Sequence, residues 1–292
     1  MGQPHFEPVS AGRFREYRER FATTPQKVSD YSFANIWGWA EHYGLEWSWG
    51  QTCVFIRQTK PRLLYWAPVG PWHGPDWTMC PHVTTINEFT RVPEELALLW
   101  KAQMGDRCVL EEARGHWDYV YRVEDLAELK GNKFHRKKNQ VNQFRKNYLF
   151  EYRDLTTDCI EETLDMQHEW IKWQELEDSA PLLAENQAIA RVLQGWDRFD
   201  MLLGGALRIN DEMVAYTVAE PLTDDTLVIH FEKGKPGVKG VYQAINQMFL
   251  HEAGARYALV NREQDLDDEG LRKAKMSYYP DHFMKKYNVR IL

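Results

Sequence analysis

Three carboxylates at alternate positions, Glu263, Asp265 and Asp267, follow the short apolar run Tyr257 to Val260. The run reads as a buried strand, and an extended continuation puts the three acids on one side because strand side chains alternate with period two. Converging carboxylates suit holding an ammonium group or taking a proton from an amine. Asp267 is placed to cap a helix, with Asp268 and Glu269 at its positive end and Arg272, Lys273 and Lys275 further along. On that helix Leu271, Ala274 and Tyr278 form a narrow apolar stripe shared with Lys275, and Pro280 stops it. By type, Glu263 or Asp265 could handle an amine's proton, Arg272 or Lys275 could meet negative charge, and Tyr278 could donate a proton. The competing reading is capping chemistry, with Lys275 snorkelling past its neighbours.

A second constellation lies upstream, in Glu232, Lys233, Gly234, Gly237, Gly240 and Val241. These residues join a strand over Thr226 to Glu232 to a helix carrying Tyr242, Ile245, Phe249 and Leu250. A glycine-bearing loop at a helix start can aim backbone N–H groups at an anion, although glycines serve any tight turn equally well. The third is basic: Lys133, Arg136, Lys137, Lys138, Arg145 and Lys146 crowd one predicted helix around a seam of Phe134, Val141, Phe144 and Tyr148. Against a net charge of -7, such a helix gives a local field of opposite sign. It suits phosphate contact with RNA, or it is simply a solvated face.

The elements that must position these groups fall into two series. The first runs from a helix over Pro25 to Tyr43, stopped by Gly44, into strand-like runs Leu45 to Trp49, Thr52 to Arg57 and Arg62 to Ala67. An irregular Gly, Pro and Trp-rich loop covers Val69 to Pro81, and a helix over Pro93 to Met104 leads to strands Arg107 to Glu111 and Trp117 to Tyr121. Helices over Val123 to Leu129 and Lys133 to Asn147 follow. The second series begins at Leu149 with a strand to Arg153 and helices over Thr156 to Glu177 and Pro181 to Gly195. A hairpin follows, Met201 to Ile209 and Met213 to Pro221, turning on Asn210, Asp211 and Glu212. The repetition predicts an α+β protein of two domains, 1–147 and 148–292, with the site in the second.

The 292 residues, 43% of them hydrophobic, suffice for two cores. The acidic balance argues against general affinity for nucleic acid, so any RNA contact is local. Cys53, Cys80, Cys108 and Cys159 are widely spaced with no secretory leader ahead of them, which reads as reduced thiols in a cytoplasmic protein. Cys80, His82 and His73 fall short of a zinc pattern, so no metal site is expected. No apolar run approaches the ~20 residues of a membrane span. Nothing in the sequence specifies an oligomeric state.

The order of hairpin, third strand, glycine loop, helix, strand and last helix resembles the GNAT acyltransferase core. REQDLDDEGLRKAKMSYYP, together with KFHRKKNQVNQFRKNY, is similar to the phosphatidylglycerol lysyltransferase C-terminal domain family, and the resemblance spans most of the chain. It implies two tandem GNAT-like domains, each a mainly antiparallel sheet flanked by helices, as in Fem-type transferases that use aminoacyl-tRNA. It also implies transfer of an acyl or aminoacyl group to an amine or hydroxyl, with a small molecule or lipid headgroup as acceptor. The donor it implies is aminoacyl-tRNA or a coenzyme A thioester. GNAT loops commonly space their glycines by one residue, whereas Gly237 and Gly240 are separated by two, which leaves a tRNA-borne donor open. A binding protein on the same scaffold that has lost catalysis is the alternative.

Overall fold

The computed structural model describes residues 5–173 and 180–292. Its chain forms two compact units, one of 1–118, 264–269 and 283–292, the other of 119–263 and 270–282. The expected division at 147/148 falls inside the second unit. The reason is the basic helix, His135–Asn147, whose buried Val141 and Phe144 leave it no stable existence away from a core. Phe144 packs there with Leu207, Val214, Val241 and Ile245. Burying such side chains is worth roughly 1.5–3 kcal/mol each.

The first unit is built on a seven-stranded sheet. Its antiparallel meander, Leu45–Trp49, Val54–Gln58 and Leu64–Trp66, matches the sequence reading. The helix expected from Pro25 is two short ones broken at Trp39: Phe33–Gly38, where the Ser32 hydroxyl accepts the Asn35 N–H, and Ala40–Tyr43, which ends as Gly44 turns left-handed. Two strands complete the sheet without a clear alternation in the sequence: Glu88–Pro93 and Lys286–Ile291, the latter lying between Glu88–Pro93 and Cys108–Glu112. Their inward positions carry charge. Lys286 is fully buried, donates to Asp118 Oδ1 at 2.6 Å and pairs with Asp30, which also meets Arg91. Burial works against the Asp30 charge, but Lys286 and Arg91 outweigh it and hold the carboxyl far below its usual range. Gln264 closes the group with hydrogen bonds to Ser29, Asp30 and Asp118.

The second unit has its own seven-stranded sheet. Its centre is the meander Leu203–Ile209, Glu212–Pro221 and Thr226–Gly234, with Phe150–Asp154 beyond the first of these. Asn210 and Asp211 both take positive φ, the geometry that turns a two-residue hairpin. Leu259–Asn261 then adds in parallel to Thr226–Gly234, and Asp118–Arg122 pairs antiparallel with it. Helix Val241–Glu252 presents Ala244, Ile245, Met248 and Phe249 to the core. Helices Ile160–Trp173 and Ala180–Gln194 lie where expected, except that 174–177 of the first are outside the described residues. Among the described residues no helix is long and apolar enough to cross a membrane.

Candidate functional site

The site is built where two parallel strands part. Pairing between Thr226–Gly234 and Leu259–Asn261 ends at Val228 opposite Asn261. The first strand continues for several residues, while the second turns away at Glu263, whose φ is 56°. The buried Asn261 fixes that turn, its Oδ1 accepting the Glu263 N–H at 2.8 Å, and the Glu263 carbonyl accepts from Tyr119 N–H at 3.1 Å. The space left by the divergence is filled by charge. His230 sits with Nδ1 2.8 Å from Glu263 Oε1 and Nε2 3.0 Å from Glu220 Oε1. Burial disfavours an imidazolium here, but the two carboxylates outweigh it and raise the His230 pKa to about 9. At neutral pH the trio is therefore an imidazolium between two carboxylates. Glu263 is its outermost member, with 19% of its side chain exposed. Its partial exposure lets Glu263 reach an ammonium group brought from outside.

Two residues along the same strand, Glu232 accepts from Arg262 Nη2 at 3.0 Å and from Asn246 Nδ2 at 2.9 Å. The Arg262 guanidinium lies 4.9 Å from the centre of the Tyr278 ring, and the Lys137 ammonium lies 3.9 Å from it. Burial raises the Tyr278 pKa, which keeps the phenol protonated and able to donate. Arg262 Nη1 is buried without a hydrogen-bond partner in the protein. Such an orphaned donor costs about 1–3 kcal/mol unless a ligand or water answers it.

Beside this cluster the basic helix faces helix Glu269–Met276 across a cleft of about 260 Å³. Arg136, Lys137 and Gln140 line one wall, and Gly270, Lys273, Ala274 and Ser277 the other. The lining holds three cations and no acid. Gln140 Oε1 is also buried without a partner.

The glycine loop meets the basic helix directly. Gly240, at φ 78°, is so close to the Gln140 carbonyl that a β-carbon there would lie well inside 3.0 Å of it. The N–H groups of Val238, Lys239 and Val241 donate to Lys235 O, Tyr148 Oη and Val238 O. Three groups expected to face an anion are thus used by the protein itself.

A family model described as phosphatidylglycerol lysyltransferase, C-terminal, matches residues 21–290. The chain belongs to that family. Over 99% of its own length and all of the other's, the chain resembles a conserved protein of unknown function from Bacteroides thetaiotaomicron, with a TM-score of 0.90 and 29% identity. The structure of L-PGS from Bacillus licheniformis gives 0.67 at 12% identity, over 99% of this chain and 94% of that one. A tandem GNAT protein from the clavulanic acid biosynthesis pathway gives 0.51 at 7%, over 99% of each. The fold is therefore α+β with two tandem GNAT-like domains. An uncharacterized protein of Mycoplasmoides gallisepticum is 22% identical over 200 residues, 68% of this chain, and the match spans 63% of that relative's length.

The sequence-predicted residues distribute unevenly over this site. Glu232, Tyr278 and Lys137 gather around Arg262 and the Tyr278 ring, and Glu263 joins His230 and Glu220. Asp265 does not join them: it belongs to the first unit, fully buried, paired with Arg114 at 3.2 Å and accepting the Asp267 N–H. The expected alternation of Glu263, Asp265 and Asp267 fails because Glu263, Leu266 and Asp267 all take positive φ, so the chain here is coiled and not extended. Asp267 packs its carboxylate against Gly115, and the helix starts two residues later. Leu271 and Ala274 of the expected stripe are exposed. Lys275 donates to the Arg262 carbonyl at 2.6 Å, pinning the strand exit, and Arg272 is half-buried on the same helix. Lys233 points elsewhere, onto Glu185 at 2.7 Å and the Trp170 ring. Gly234 packs against Val241, and Gly237 is open to solvent. On the basic helix Arg136, Lys138, Arg145 and Lys146 are exposed, while Lys133, just before it, pairs with Asp125. Sequence reasoning missed Glu220, His230, Asn246, Asn261 and Arg262. The available signal was ionisable or amide side chains inside otherwise apolar runs, at positions a strand or helix must bury.

Proposed function

We propose that the second unit transfers an acyl or aminoacyl group, carried on a phosphate-bearing donor, to an amine or hydroxyl acceptor. The observation that carries this reading is the acid-free cationic cleft opening beside the Arg262 and Tyr278 cluster. Aminoacyl-tRNA fits as donor better than coenzyme A. The glycine loop spends three of its N–H groups internally and is covered at Gly240 by the basic helix, whereas that helix offers exposed cations leading to the cleft. In the transfer, the acceptor's oxygen or nitrogen bonds to the carbonyl carbon and the ester bond to the tRNA 3′ end breaks. In this reading Arg262 Nη1 stabilises the oxyanion, Tyr278 donates to the leaving oxygen, and Glu263 holds an ammonium group. Membership of the phosphatidylglycerol lysyltransferase C-terminal family supports a lipid headgroup as acceptor.

Binding through phosphate contacts releases counterions, so tRNA affinity should fall with salt by a log-log slope of up to roughly -0.9 per contact on a duplex arm. A salt titration of tRNA binding by the wild type and by the Arg136→Ala, Lys137→Ala, Lys138→Ala triple variant tests the reading. A flatter slope in the variant is expected. Equal slopes, or no binding at low salt, would return the donor to coenzyme A.

A further inference from the structure

Lys137 differs from the other buried or half-buried cations of its unit. Lys233 has Glu185, Arg262 has Glu232, and Lys275 has a backbone carbonyl. Among the described residues no oxygen accepts from the Lys137 ammonium. It rests 3.9 Å over the Tyr278 ring and lines the cleft. The groups facing it are Arg136 on its own helix, Lys273 across the cleft, and Arg262 and Tyr278 beneath, with Glu232 bound to the far side of Arg262. Burial, and then the charges of Arg262 and Arg136, lower its pKa to about 8. A lysine in solution is almost wholly protonated at that pH, whereas half of Lys137 is a neutral amine. Nucleophilic amine, anion-holding cations and an open approach are thus in one place.

We propose that Lys137 is an acyl-accepting site, acylated at Nζ by small acyl phosphates that Arg136 and Lys273 hold by their phosphate. The inference rests on the reading of the cleft as the place where a phosphate-bearing acyl donor sits. The Nζ lone pair attacks the acyl carbon, the C–N bond forms, and the C–O bond to phosphate breaks. Phosphate leaves with the electron pair, and the amine proton passes to it or to water. The product is an amide, too stable to hand the group on, so this is a modification and not a turnover intermediate. It leaves the cleft with two cations where there were three.

The test uses the full chain and limiting acetyl phosphate between pH 7 and 10, with acetylation followed at each lysine by peptide mass spectrometry. At pH 8 the neutral fraction of Lys137 is roughly a hundredfold that of a lysine in solution, and the weaker nucleophilicity of a less basic amine takes back part of this, so Lys137 should be acetylated roughly tenfold faster than the exposed Lys138 and Lys146. Its rate should reach half its maximum near pH 8. Inorganic phosphate should protect Lys137 and leave Lys138 unaffected, and Arg136→Gln or Lys273→Gln should lower the selective rate. Lys137 reacting no faster than Lys138, or no selective protection by phosphate, would overturn the proposal. Because no RNA is present, selective labelling without tRNA binding would sink the donor reading alone, and tRNA binding without labelling would sink this one alone.

Discussion

The carbonyl oxygen of Gln140 occupies the space that a β-carbon on residue 240 would need. This contact, more than any phosphate requirement, explains a glycine at that position. Gly240→Ala should therefore cost about 2 kcal/mol or more, from left-handed strain plus backbone overlap. Gly237→Ala, at φ 83° with nothing within 4 Å, should cost about 1 kcal/mol from strain alone. Urea unfolding midpoints of the two variants check this, and equal losses would refute it.

His230 makes stability depend on pH with a definite sign. Its folded pKa, about 9, lies above the value near 6.5 of an unfolded histidine. The contribution is therefore fully present below pH 6.5 and is lost as pH rises through 9. At 1.36 kcal/mol per pKa unit it amounts to roughly 3 kcal/mol. Unfolding free energies of the wild type should fall across this window, and those of His230→Gln should fall less. A parallel decline in both proteins would remove His230 as the cause.

Tyr278 should matter to transfer more than to folding. Tyr278→Phe keeps the ring under Lys137 and Arg262 and removes only the hydroxyl, so stability should change by about 1 kcal/mol or less. Transfer from charged tRNA should slow by roughly a hundredfold if the phenol donates to the leaving oxygen. Unchanged turnover would assign Tyr278 to packing.

What could be read in the sequence was local. The Asn210–Asp211 turn, the long hairpin and the glycine-loop helix each announce themselves through neighbouring residues, and the basic helix through its composition. What could not be read depends on partners far apart along the chain. Asp30, Arg91, Asp118 and Lys286 converge in one buried group, yet each alone looks like surface charge. Glu220 and His230 sit in apolar strand runs and become intelligible only once Glu263 is seen beside them. Glu263 stands out in the sequence at the strand's exit, but no glycine or proline warns that the chain there turns left-handed.

The strand Lys286–Ile291 lies inside the first unit's sheet, between Glu88–Pro93 and Cys108–Glu112. During translation, residues 1–118 emerge long before the piece that joins two of their strands. Until then the edges of those strands stay unpaired, and Asp30 and Asp118 wait without the ammonium of Lys286. The first unit must therefore finish folding after the second has been synthesised, and a fragment ending near residue 118 should be captured by chaperones or aggregate through its open strand edges.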